Sequence, residues 1–117
     1  MQNKNEKAEQ ELLLQVRRLE FEQEAIGSEM KKLEKQQQTQ EVDCRRQLQE
    51  LSYLREKYAR DHRMEQAIND KQAILNAMQR ESADLLSDGK KQANNLSRRK
   101  TEEIEETYRQ LHEMKEA

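Results

Sequence analysis

Apolar residues recur along this chain at helical spacing, and over its first half they keep a seven-residue frame. One seam position of that frame holds Val16, Gln23, Met30, Gln37, Cys44, Leu51 and Tyr58. The other holds Leu12, Leu19, Ile26, Leu33, Gln40, Gln47 and Leu54. Two seam positions per heptad form the stripe by which helices supercoil around one another. Leu48 takes over from Gln47 as the apolar residue at its level, so a slip of the frame is expected there.

A stretch with little on the seam follows, "YARDHRMEQAIND" at 58–70. It has no Gly or Pro to mark a turn, but Asp61 is suited to cap the start of a new helix. Beyond it a second stripe runs through Ile68, Leu75, Met78, Leu85, Ala93, Leu96, Ile104, Tyr108, Leu111 and Met114. Two stripes of similar length predict an all-α fold, an elongated antiparallel two-helix coiled-coil hairpin forming a single domain. Its first arm would span about 5–60, the turn about 60–66 and the second arm about 66–116, with each arm roughly 75 Å long at 1.5 Å per residue.

The first stripe fades in "EKQQQTQEV", residues 34–42. A turn centred near His62 and Arg63 would set residues 36–40 opposite 85–89, where the second stripe also turns polar, with Ser87, Asp88, Gly89, Lys90 and Gln92 close by. The two polar zones are therefore expected to face each other. Such a layer fixes register at some cost in stability. Gly89 beside Asp88 leaves a second reading open, a break that divides the arm into helices 64–87 and 90–116.

Composition narrows the picture. Among 117 residues there are one Phe, three Tyr, no Trp, two Gly and no Pro; charged residues make up 39% and apolar ones 32%. This is too little aromatic and branched content for a compact core, and too little Pro and Gly for disorder. Ala, Glu, Gln, Lys, Arg, Leu and Met dominate, the strong helix formers. The net charge is only -2. "RRK" at 98–100 runs straight into "TEEIEE", so no basic face suits nucleic acid. The polar start "MQNKNEKAEQE" has no signal-peptide character, no apolar run suits membrane insertion, and one cysteine fits a reducing compartment. A cytoplasmic protein is expected.

No chemistry beyond packing is legible, and no enzyme, cofactor or metal site is expected. His62 and His112 lack companions at chelating spacing. Cys44 falls on the seam, where a thiol behaves as a small apolar residue. Glu102 and Glu103 are adjacent in sequence and so diverge on a helix, and two isolated glycines make no phosphate loop. What stands out is surplus apolar area. Leu14 and Phe21 lie seven apart on the side of the helix away from the first seam, with Leu13 and Ala25 beside them, and Leu86 is off the stripe of its own arm. Leu13, Leu14, Phe21 and Leu86 are the expected face for a protein partner.

The N-terminal run "LEFEQEAIGSEMKKLEKQQQ" and the C-terminal "LSRRKTEEIEETYRQLHEMK" resemble, in texture and over nearly the whole chain, the LXG-toxin-associated helical proteins of Gram-positive type VII (ESX-type) secretion. The resemblance implies a WXG100-like hairpin that binds the helical N-terminal domain of a toxin and assists its export. A second small helical protein would accompany it, and the chain itself would be a candidate for co-export. The turn lacks Trp-x-Gly, Tyr108 is followed four residues on by His112 and Phe21 by Ala25, so no export-signal residue carries over. Two alternatives stay open. "AEQELLLQVRRLEFEQEA" also resembles the opening of the stalk-like coiled coils that sit with flagellar and type III export ATPases. The other is a plain coiled coil that self-associates, a homo-oligomer when alone.

Overall fold

The computed structural model describes residues 4–116, and these form two helices joined by a tight turn: α1, Lys4–Lys57, and α2, His62–Glu116. The fold is all-α, an antiparallel helical hairpin. Helix-forming side chains fill both elements, with Glu6 in the first turn of α1 and Arg55 and Lys57 in its last, signs that suit the helix dipole.

The turn is shorter and earlier than the bare stretch 60–66. Helix α1 stops at Lys57, the Tyr58 amide still donates to the Leu54 carbonyl, and the Asp61 amide donates to the Tyr58 carbonyl. Asp61 then caps α2. Its Oδ1 accepts from the amides of Arg63 at 3.0 Å and Met64 at 3.2 Å, which satisfies two of the donors that a helix start leaves open. Among the described residues none has a positive φ, so ordinary residues make this turn and no glycine is required. Tyr58, expected on the seam, ends up exposed here because the helix has already ended.

The contacts of the hairpin fall into two compact units. One, the turn unit, is Lys32–Gly89; the other, the terminal unit, is Met1–Lys31 with Lys90–Ala117. The turn unit has a core of Cys44, Leu51, Ile68 and Leu75, with Leu48 and Leu54 packed against it. In the terminal unit Val16, Leu19, Thr107 and Leu111 are buried.

The line of least exposure on α1 passes through Leu12, Val16, Leu19, Gln23, Ile26, Met30, Leu33, Gln37, Glu41, Cys44, Leu48 and Leu51. Steps of three and four alternate except at Leu33–Gln37–Glu41, where two fours follow in succession. This is the expected slip, placed inside the glutamine run and ahead of Leu48. A stutter of this kind locally unwinds the supercoil. On α2 the line passes through Ile68, Gln72, Leu75, Gln79, Ser82, Leu86, Gly89, Ala93, Ser97, Lys100, Ile104, Thr107, Leu111 and Met114.

Four residues expected on this second seam are therefore off it. Met78, Leu85, Leu96 and Tyr108 are all exposed, while Leu86, expected to face a partner, is half-buried on the inner line. The cause is physical. A seam position is set by the helical period and the register with α1, and small or polar residues such as Ser82, Gly89, Ser97 and Thr107 occupy it as readily as leucine where the helices approach closely.

Helix α2 runs unbroken through Gly89. A Cβ built there would lie 2.9 Å from Leu33 Cδ2, so the missing side chain leaves room for Leu33 to pack against the α2 backbone. With Gly89 beside Leu33 and Ser82 bonded to Gln40, the register lies a few residues nearer the turn than a centre at His62 and Arg63 implies. The early cap at Asp61 accounts for the shift.

Candidate functional site

Two sets of side chains have no role in holding the helices together. The first lies on α1 in the terminal unit. Phe21 is 72% exposed and Leu14 is 63% exposed, on the side of the helix opposite the buried Val16 and Leu19. Leu13 borders them and is also exposed. Helical geometry explains the placement: a residue two beyond Leu12 or Leu19 lies almost half a turn of the helix away from the seam.

The terminal unit has its own polar links between helices, and these leave the Phe21 side free. Gln23 Nε2 donates to Thr101 Oγ1 at 2.7 Å and lies 3.1 Å from both the carbonyl oxygen and the hydroxyl of Ser97. Lys100 Nζ meets Glu22 Oε2 at 2.6 Å, and Lys115 reaches Glu9 at 3.6 Å. The hydrogen bond from Lys100 holds the Glu22 carboxyl below its ordinary value, and the same bond raises Lys100. Thr107, buried, donates to the carbonyl of Glu103 at 2.8 Å, so a polar side chain on the seam is satisfied within its own helix.

The second set lies in the turn unit. Ile74, Met78 and Leu85 are exposed on one face of α2 at intervals of four and seven. Met78 and Leu85 border a groove between the helices whose α1 side carries Gln36, Gln40 and Gln47. Within it Ser82 donates its hydroxyl proton to Gln40 Oε1 at 2.9 Å, a direct bond across the polar layer. Leu86 borders the same groove from the inner side.

Cys44 is buried in the turn-unit core and its Sγ lies 3.6 Å from the Leu75 carbonyl oxygen, an arrangement of a packed thiol with a weak hydrogen bond. His62 and His112 each sit near one glutamate of their own helix, Glu65 and Glu116. Among the described residues no group of His, Cys, Asp and Glu is placed to hold a metal ion, and no helix is long and apolar enough to cross a membrane.

Of the partner residues expected from sequence, Leu13, Leu14 and Phe21 share one exposed region and Leu86 does not join them. The Ile74–Met78–Leu85 stripe escaped the sequence reading because Met78 and Leu85 were assigned to the seam. In comparison with known proteins, no family model, no curated protein and no solved structure matches this chain.

Proposed function

We propose that this chain is a non-enzymatic adaptor that binds the helical domain of another protein through Leu13, Leu14 and Phe21. The observation that carries the reading is the exposure of the chain's only phenylalanine together with Leu14 on a helix side that the hairpin does not cover. Burying a side chain of this size is worth about 1.5–3 kcal/mol, and the hairpin leaves most of that gain unrealised at Phe21. A helix packed across this side would recover it. On the resemblance of the two arms to LXG-toxin-associated proteins, the partner is the helical N-terminal domain of an exported toxin, and the role is accessory to type VII secretion.

The test is capture of partners by the tagged chain from its native host, with bound proteins identified by mass spectrometry. Recovery of a large toxin with a helical N-terminal domain, and its loss in Phe21→Asp with helix content unchanged by circular dichroism, is the expected result. Recovery of an export ATPase, or of the chain alone, would overturn the toxin assignment. Loss of helix content in Phe21→Asp would instead show that Phe21 belongs to the fold.

A further inference from the structure

The groove in the turn unit combines apolar, neutral polar and acidic side chains. Its apolar part is made by Leu33, Leu75, Met78 and Leu85, and its neutral polar part by glutamines and Ser82. Every charged side chain bordering it is a carboxylate: Glu41, Asp43 and Glu81. Asp43 is engaged by Arg46, and Glu41 accepts from the Gln37 amide at 3.3 Å. Glu81 has no ion-pair partner among the described residues and lies on α2 between Met78 and Leu85, which leave 55% and 68% of their surfaces to water.

We infer that this groove seats an amphipathic helix from a protein other than this chain, one that sets apolar side chains on Met78 and Leu85 and a lysine or arginine beside Glu81. Three features select that occupant. The spacing of Ile74, Met78 and Leu85 repeats on one helix face, so a helix lying along it makes contact at each turn. The amide of Gln36, and the donors and acceptors that Gln40 and Gln47 retain beside their bonds to Ser82 and Asp43, can meet a partner without a charge to desolvate. The unpaired Glu81 favours a cation, while a second copy docked with its two-fold axis at the middle of Met78–Leu85, which falls at Glu81 and Ser82, would bring the two Glu81 carboxylates together. The inference shares with the proposed adaptor role only the idea of a helical partner, and it uses a different surface.

The probe is a synthetic, fluorescently labelled helical peptide with leucines on one stripe and lysines flanking it, paired with a version flanked by glutamates. Anisotropy titrations with the full chain should show the lysine peptide binding at least tenfold more tightly than the glutamate peptide. The double variant Met78→Ala, Leu85→Ala should weaken the lysine peptide about tenfold or more, while Tyr53→Ser, exposed and away from the groove, should leave it unchanged. Glu81→Lys should invert the preference between the two peptides. Equal binding by the double variant, or no binding of the lysine peptide, overturns the inference. So does a dimer in sedimentation that Met78→Asp dissociates, since the occupant would then be a second copy. Circular dichroism of each variant shows that the helices persist. None of these failures touches the Phe21 surface, which is read by partner capture alone.

Discussion

Gly27 and Gly89 are both helical, and they occupy contrasting positions. Gly27 is exposed on α1, and a Cβ there would meet nothing within 4 Å. Gly89 is half-buried, and a Cβ would meet Leu33 Cδ2 at 2.9 Å. Alanine in place of a mid-helix glycine is worth roughly 0.5–1 kcal/mol where nothing obstructs it. Gly27→Ala should therefore raise stability by about that amount, measured as a higher urea midpoint. Gly89→Ala should give less than half the gain, because Leu33 must move its terminal methyl out of the space it fills. Equal gains would mean that Leu33 relaxes freely and that its approach to α2 contributes nothing. The same pair shows why sequence alone left the second arm open at Gly89. A glycine signals a break when it is read along one helix, and a close approach only when the other helix is in view.

At the scale of the helix, the fold class was legible and the exact face of α2 was not. Counting apolar residues found every member of the turn-unit core, Cys44, Leu51, Ile68 and Leu75. It failed further along α2 because the eye follows leucine: Leu85 was preferred to its neighbour Leu86, and Leu96 to Ser97. A shift of one residue turns a side chain by about 100°, enough to move it from the seam to solvent. The two assignments differ in energy as well as geometry. Ile68→Ala removes a buried side chain from a small core and should cost about 2–4 kcal/mol. Leu85→Ala touches a side chain already in water and should change stability by less than about 0.5 kcal/mol. Urea unfolding of the two variants decides it, and a large loss at Leu85 would return that residue to the seam. The exposed side of α1 at Leu14 and Phe21 was legible in the sequence, and the exposed stripe of α2 was not. Leu14 and Phe21 stand half a turn from a stretch of seam marked by Leu12, Val16 and Leu19, whereas Met78 and Leu85 stand beside one where the polar Gln79 and Ser82 hold the inner positions.

For the molecule as a whole, 22 cations and 24 anions leave almost no net charge, so pH acts through particular pairs and not through overall repulsion. Glu22 with Lys100 joins the two helices at 2.6 Å, and a quarter of the Lys100 side chain remains exposed. Hydrogen bonding to Lys100 lowers the Glu22 carboxyl below its ordinary value of 4.5. Its contribution is therefore complete above 4.5 and is lost as pH falls through the lowered value. Lys100 is raised above 10.5, so its side of the pair is complete below that value and is lost as pH rises through the raised one. The pair should hold across the whole neutral range and fail at both ends. Glu22→Gln keeps the shape of the side chain and removes the charge. The difference in urea midpoint between the native chain and this variant should be positive and flat through neutral pH, and it should close as acid protonates Glu22. Other carboxylates are common to both proteins and cancel in that difference. A gap that persists below the titration of Glu22 would mean that the carboxyl contributes through its shape or a neutral hydrogen bond, and that charge plays no part in joining α1 to α2 at this level.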